Sequence, residues 1–321
     1  MKITGHIKKI FTGAALEYDV RLSGFRADIE IAGSPERSEL RAVITGDDNR
    51  LYVLECVFDE DVEKKRKIAS YLSSLSDKKM QAINPYLRAV NGGAVVFSQD
   101  RYWMMSPFIQ GVPLKRPEYV FDKWRGKTLA DFLMTLKNNS VDLLKSNQDA
   151  PFSIVGYIYK LFDEIKINDP QVVPSITPFI AFLEKHFMDQ HGGLPLRFCH
   201  GDYHPVNIIW GTLGLNAVID WEFAGVKPEV YDLANLLGCL GMENPDSLAG
   251  ELTIDLVSTL YASGYMDQVS WNNLVAFIVA LRFAWLSEWL RRRDVEMIDL
   301  EIVYMKLLTE NAERLEEIWA V

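Results

Sequence analysis

Cysteine is scarce in this sequence: Cys56, Cys199 and Cys239 are the only three, far apart and odd in number. No pair has metal-ligand spacing, so a disulfide framework and a cysteine-based zinc centre are excluded. The three read as free, buried thiols in a reducing compartment. Basic charge is also in deficit, with 34 Lys and Arg against 44 Asp and Glu and a net charge of −10. A nucleic-acid partner would require a basic face, and none is expected. Long apolar runs are missing as well. The best, Leu274 to Leu286, is interrupted by Arg282 and falls short of the ~20 residues a bilayer requires. It reads as a buried core helix. The N-terminal MKITGHIKKIFTGAAL has lysines but no apolar stretch of secretory length. The expectation is a cytoplasmic protein with no membrane partner.

What is present is an ordinary globular composition, 49% hydrophobic and 24% charged, over 321 residues. That length exceeds one average core, so two domains are expected. The first 110 or so residues are close to neutral, and the excess acid lies beyond them. An acidic larger domain would attract a cationic substrate such as an amine, or serve only as a solvated surface.

The first hundred residues read as strands and turns with one helix. FRADIEIAG, ELRAVITGD and LYVLECVF have strand content. The turn cluster Asp47-Asp48-Asn49 predicts an antiparallel hairpin between the last two. Helical spacing runs from Asp61 to Leu75, and two further strands are predicted around Ala94–Ser98 and Tyr102–Met105. From Ser106 the character changes. Pro107, Gly111, Pro113 and Pro117 mark an irregular connection. Mostly helical patterns follow, including Tyr119–Leu136, Ser153–Ile165 and Ile176–Met188. They are interrupted once, by an alternating apolar and polar stretch from Leu196 to Gly225.

The chemistry concentrates in FCHGDYHPVNIIW, Phe198 to Trp210, followed ten residues later by VIDWEFAG. Apolar flanks bury the ends of the first segment, and the turn Gly211 to Gly214 allows the two to fold back as a hairpin. Asp202, Asn207 and Asp220 can then converge at one end of it. Such oxygen donors suit a hard cation such as Mg2+. Zinc is a weaker reading: His200 and His204 are four apart, but Gly201 stands where a metalloprotease has its general-base Glu, and Pro205 opposes a continuing helix. Gly126-Lys127-Thr128 imitates the end of a P-loop, yet Phe121 occupies the position of its first glycine. It belongs to a helix.

HGDYHPVN followed by VIDWEFAG resembles the signature of the aminoglycoside phosphotransferase and choline kinase superfamily, relatives of the protein kinases. The resemblance implies an α+β, bilobal protein-kinase-like fold. A small β-rich lobe would span residues 1–105, and a larger, mainly helical catalytic lobe residues 106–321. It implies an ATP- and Mg2+-dependent kinase acting on a hydroxyl of a small molecule, such as an aminoglycoside, amino alcohol or sugar. Asp202 would accept or orient the acceptor proton, and Asn207 and Asp220 would hold the metal against the nucleotide phosphates. His200 and His204 read as hydrogen-bonding residues of the loop, Glu222 as a further metal-side group, and Asp232 as a helix cap or a brace for the loop.

The sequence departs from the family pattern in the small lobe. A strand lysine normally grips the phosphates and pairs with a glutamate on the next helix. Here Glu55 holds the lysine position, and the helix carries Lys64, Lys65, Arg66 and Lys67. One reading is a charge-swapped pair in which Lys65 or a neighbour meets Glu55 and also reaches the phosphates. The other is a solvated basic helix face. GSPERSE replaces the glycine-rich phosphate turn, with Arg37 and Ser38 as its candidate contacts. WMMSPFIQG, with Met105, is the expected adenine hinge. The Glu55 departure keeps a second class open, a pseudokinase-like nucleotide-binding module. Trp271, Arg282, Trp285, Glu288 and Trp289 are candidate acceptor-pocket residues or ordinary helix packing.

Overall fold

A computed structural model describes residues 4–31, 38–146 and 150–319. The chain divides into two compact units. One comprises the residues up to Pro113 together with Pro205–Phe223, the other Leu114–His204 together with the chain from Ala224 onward. The first unit opens with helix α1 (Gly5–Leu16), strands β1 (Leu22–Phe25), β2 (Arg41–Gly46) and β3 (Leu51–Val57), helix α2 (Val62–Asp77), and strands β4 (Val96–Ser98) and β5 (Arg101–Pro107). The second begins with helices α3 (Lys123–Asn139), α4 (Val141–Ser146), α5 (Ile154–Asn168) and α6 (Val173–His186) and strand β6 (Leu196–Cys199). The chain then supplies the hairpin β7 (Ile208–Trp210) and β8 (Leu215–Val218) to the first unit. It returns to the second with β9 (Gly225–Pro228) and helices α7 (Tyr231–Glu243), α8 (Glu251–Ala262), α9 (Gln268–Asn272), α10 (Leu274–Arg292), α11 (Val295–Glu310) and α12 (Ala312–Trp319). The α+β class, with an N-terminal sheet and a helical remainder, is as expected.

In the first unit a five-stranded sheet runs in the order β1-β2-β3-β5-β4, antiparallel throughout. The hairpin at Asp47-Asp48-Asn49 forms as predicted, with Asn49 in the left-handed region at φ 63°. Gln99 and Asp100 turn β4 into β5 with φ of 54° and 58°, the two positive values of a type I′ turn. Strand alternation then sends Tyr52, Leu54 and Cys56 to one face and Val53, Glu55 and Val57 to the other. The first face packs on Ile10, Phe11, Ala14 and Ala15 of α1. The opposite face packs on Val62 and Ala69 of α2, with Val57, Val95 and Met104.

Two expectations need correction. The first hundred residues hold a second helix, α1, where the pattern predicts strands, turns and one helix; Thr4 caps it by accepting the Ile7 N–H at 3.3 Å, and its apolar residues recur with helical spacing. The strand placed at FRADIEIAG lies earlier, at Leu22–Phe25. Residues 27–29 turn instead, with the Ile29 N–H donating to the Arg26 carbonyl at 3.2 Å and the Arg26 guanidinium bonding Asp28; the end of that stretch, residues 32 and 33, lies outside the described residues.

In the second unit α10 is buried nearly all round: from Leu274 to Phe283 every residue is buried. It contacts α5, α6, α7 and α11, which explains its unbroken hydrophobicity. No helix among the described residues is long and apolar enough to cross a membrane. The Gly126-Lys127-Thr128 stretch lies inside α3. Gly126 is required there by contact, because a Cβ would fall 2.3 Å from the Leu252 carbonyl of α8.

Candidate active site

In the second unit the segment after β6 is held from several sides. Strand β6 pairs with β9, Cys199 opposite Gly225. Asp232, in the first turn of α7, accepts the His200 N–H on Oδ2 at 2.7 Å and the Gly201 N–H on Oδ1 at 2.8 Å. Of the two roles the sequence left open, cap or brace, the structure assigns the brace; position Ncap is Val230. Gly201 adopts φ 83°, a conformation that side chains disfavour. His200 is fully buried, and its Nδ1 accepts the Asp202 N–H at 3.2 Å. Asp202 keeps its carboxylate partly exposed, with Oδ1 3.6 Å from His204 Nε2. Two braces were not legible in the sequence: the Tyr203 hydroxyl donates to the Leu129 carbonyl at 3.2 Å, and Asn235 Nδ2 donates to the Tyr203 carbonyl at 3.3 Å.

Burial pushes the Asp232 carboxyl up to about 6, although the Gly201 and His200 N–H groups and the charges of Lys227 and Arg197 pull the other way. A carboxylate that must receive two backbone donors in an apolar setting has this conflict built in.

In the first unit, Asn207 ends a short 3-10 turn, Pro205–Asn207, and is buried. Its carbonyl accepts the Ile219 N–H at 2.9 Å. Ile208 stands opposite Val218 in the β7–β8 hairpin, so Asn207 and Asp220, two of the three residues expected to converge there, lie at the same end of it; Asp202 belongs to the second unit. Asp220 occupies the left-handed region at φ 67°, a strained position for a residue with a side chain. The donor set fits a hard cation: an amide oxygen and a carboxylate on adjacent chain segments, with further positions left to phosphate and water. Among the described residues, no group of three or more His, Cys, Asp and Glu side chains is placed to hold a metal, so these donors alone would not form an all-protein cage.

Glu222 lies two residues beyond Asp220, and its carboxylate is taken by lysines. Oε1 accepts from Lys65 Nζ, and Oε2 lies 3.2 Å from Lys64 Nζ. Burial works to raise the Glu222 carboxyl, but Lys65 and then Lys64 hold it below the usual range. The partner of Lys65 is therefore Glu222 and not Glu55. Glu55 stands opposite Arg41 in the β2–β3 register. Burial pushes its carboxyl upward, against the charges of Lys65 and Arg41.

The remaining candidates fall in different places. Arg37 lies outside the described residues. The Ser38 hydroxyl is buried with no hydrogen-bond partner among the described residues. Met105 is fully buried on β5, opposite Leu54, and its carbonyl accepts the Leu87 N–H at 2.7 Å. Arg282 is buried and bonds Glu301 at 2.5 and 2.6 Å, which assigns it to helix packing. Trp271 lies against Tyr261, and Glu288 binds the exposed Arg291 and Arg292. Trp285 and Trp289 stack at 5.9 Å, and Trp285 meets the His204 ring at 6.2 Å.

The phosphotransferase enzyme family model matches residues 41–264. No curated protein sequence matches the chain. Among solved structures, the GDP complex of wild-type aminoglycoside 2′-phosphotransferase-IIIa aligns at a TM-score of 0.65 and 15% identity, covering 96% of this chain and 98% of its own. The macrolide 2′-phosphotransferase apoenzyme from Brachybacterium faecium gives 0.60 and 13%, covering 91% and 95%. An amicoumacin kinase in complex with AMP-PNP, Ca2+ and Ami gives 0.60 and 12%, covering 90% of each. At such identities the likeness is one of fold, and the family match rests on the sequence. The match covers more than half of the chain and includes both motifs: the chain belongs to the phosphotransferase enzyme family.

Proposed function

We propose that the protein is an ATP-dependent kinase that transfers the γ-phosphoryl group to a hydroxyl of a small, cationic or sugar-like molecule. The observation that carries this reading is the Asp202 loop: His200 receives the Asp202 N–H, and Asp232 receives the two N–H groups before it. A carboxylate presented on a backbone so constrained is suited to orient an acceptor hydroxyl and take its proton as the oxygen attacks the γ-phosphorus and ADP leaves. Asn207 and Asp220 would hold Mg2+, which when bound neutralises phosphate charge. Ser38, with Arg37, is the candidate for phosphate contact, and the segment around Met105 for adenine.

Glu55 favours a second reading, a nucleotide-binding module with weak or no catalysis, because a carboxylate there repels phosphate. Thermal shift with ATP, with and without Mg2+, on the wild type and Asp220→Ala tests nucleotide binding. Release of ADP with a panel of amino sugars, amino alcohols and sugars tests turnover. A Mg2+-dependent shift lost in the variant, with ADP release on an acceptor, supports the kinase. A shift without release from any acceptor supports the module, and no shift with any nucleotide removes both.

A further inference from the structure

The lysine absent from β3 leaves the question of which cation meets the nucleotide phosphates. Lys65 is one turn beyond Val62 and one turn before Ala69, and all three lie on the α2 face that packs on the sheet. It is 4% exposed. Among the described residues, its hydrogen-bond partner is Glu222, leaving most of the donor capacity of a three-donor ammonium unused. Lys64, by contrast, is about half exposed and reaches the other oxygen of the same carboxylate. The pair Lys65–Glu222 ties α2 to the segment that carries Asp220, next to the candidate metal ligands. A buried lysine is costly unless it is paired, and Glu222 supplies that pairing while leaving donors free for a further acceptor. Glu55, across the same layer, is coupled to it electrostatically without a direct bond.

We propose that Lys65, presented from α2 and positioned by Glu222, binds the nucleotide phosphates in place of the strand lysine that Glu55 has replaced. Lys65 is the binding residue, and Glu222 is a positioning residue that acts through it. This rests on the kinase reading above, or on its nucleotide-binding alternative.

The test is the affinity of the full-length protein for ATP and for adenosine, with Mg2+ present, measured by calorimetry. Lys65→Met retains the aliphatic stem and removes the charge. It should weaken ATP binding by about tenfold to a hundredfold and leave adenosine affinity unchanged. Glu222→Gln should weaken ATP in the same direction by a smaller factor, and Glu222→Asp should recover part of the loss. Lys67→Ala, on the exposed face of α2, should change neither. Unchanged ATP affinity in Lys65→Met overturns the proposal, and so does an equal loss for ATP and adenosine, which would mark a purely structural lysine. Unchanged ATP affinity in Glu222→Gln overturns the positioning role. If the wild type binds neither ligand, the nucleotide reading itself fails, a result distinct from any of these.

Discussion

The carboxylate of Asp232 receives the backbone N–H of His200 at 2.7 Å, and a helix of the second unit thereby sets the direction in which the Asp202 loop leaves its strand. Replacing this carboxylate with the neutral isostere, Asp232→Asn, removes one of two acceptors. The unmet buried N–H should cost about 1–3 kcal/mol of stability, and turnover should fall because Asp202 loses its fixed bearing. Denaturant melts and ADP release, measured together, check both.

The same residue has a pH signature. Its folded value, pushed up to about 6 by burial, lies above the ordinary 3.8. Between those values the native state holds a proton that the unfolded state has released, so this group's contribution is full below 3.8 and declines as pH rises through 6. The change is on the order of 3 kcal/mol. Stability of the wild type relative to Asp232→Asn should therefore improve from pH 7 to pH 5. A flat difference across that window would contradict the raised value.

Asp202→Ala should reduce turnover by ~10²–10⁴ while the thermal shift with ATP persists. The reason is location: the Asp202 carboxylate is partly exposed, with Oδ1 3.6 Å from His204 Nε2, where an acceptor hydroxyl could approach it. A variant with wild-type turnover would remove Asp202 from the chemistry.

Gly126→Ala separates helix propensity from packing. On an isolated helix the change would help by about 1 kcal/mol. Here the added methyl would stand 2.3 Å from the Leu252 carbonyl and 2.9 Å from the Leu256 nitrogen. Forcing α3 and α8 apart should cost about 1–3 kcal/mol net, read from urea unfolding. A variant as stable as the wild type would show that the helices can separate freely.

Arg282 and Glu301 form a buried pair joined by two hydrogen bonds, and Trp289 Nε1 donates to Glu301 Oε2 at 3.2 Å. Glu301→Ala leaves a buried guanidinium without its carboxylate and should cost about 3–5 kcal/mol. The double change Arg282→Met with Glu301→Leu should recover most of that loss. A double variant as unstable as the single one would locate the defect in packing volume.

Much of the first unit was legible because its signals are local. The Asp47-Asp48-Asn49 turn, the alternation in LYVLEC and the 3.6-residue period after Asp61 each specify structure within a few residues. The Asn207 and Asp220 placement was legible because a short glycine-bounded turn leaves the two strands little freedom. The partner of Lys65 was not. Ten residues separate Lys65 from Glu55, whereas Glu222 lies 157 positions away, and no local pattern distinguishes one carboxylate from another. The same holds for Asn235 and Tyr203, joined by contacts between segments that local pattern leaves independent. Helix α1 was missed for a different reason: its glycines and threonine look like turn chemistry, and it forms because the sheet needs its apolar face covered.

The return of residues 205–223 to the first unit has a consequence for how the protein is made. Val112 donates to the Trp210 carbonyl at 2.8 Å, and Val218 donates to the Ala82 carbonyl at 2.8 Å. As the chain leaves the ribosome, roughly one hundred residues of the second unit emerge between those partners. The first unit must wait, with these bonds unmade, until the β7–β8 hairpin is synthesised. A fragment that stops at Pro113 is therefore an unfinished unit, with the Trp210 carbonyl and the Val218 N–H that it bonds still to be synthesised.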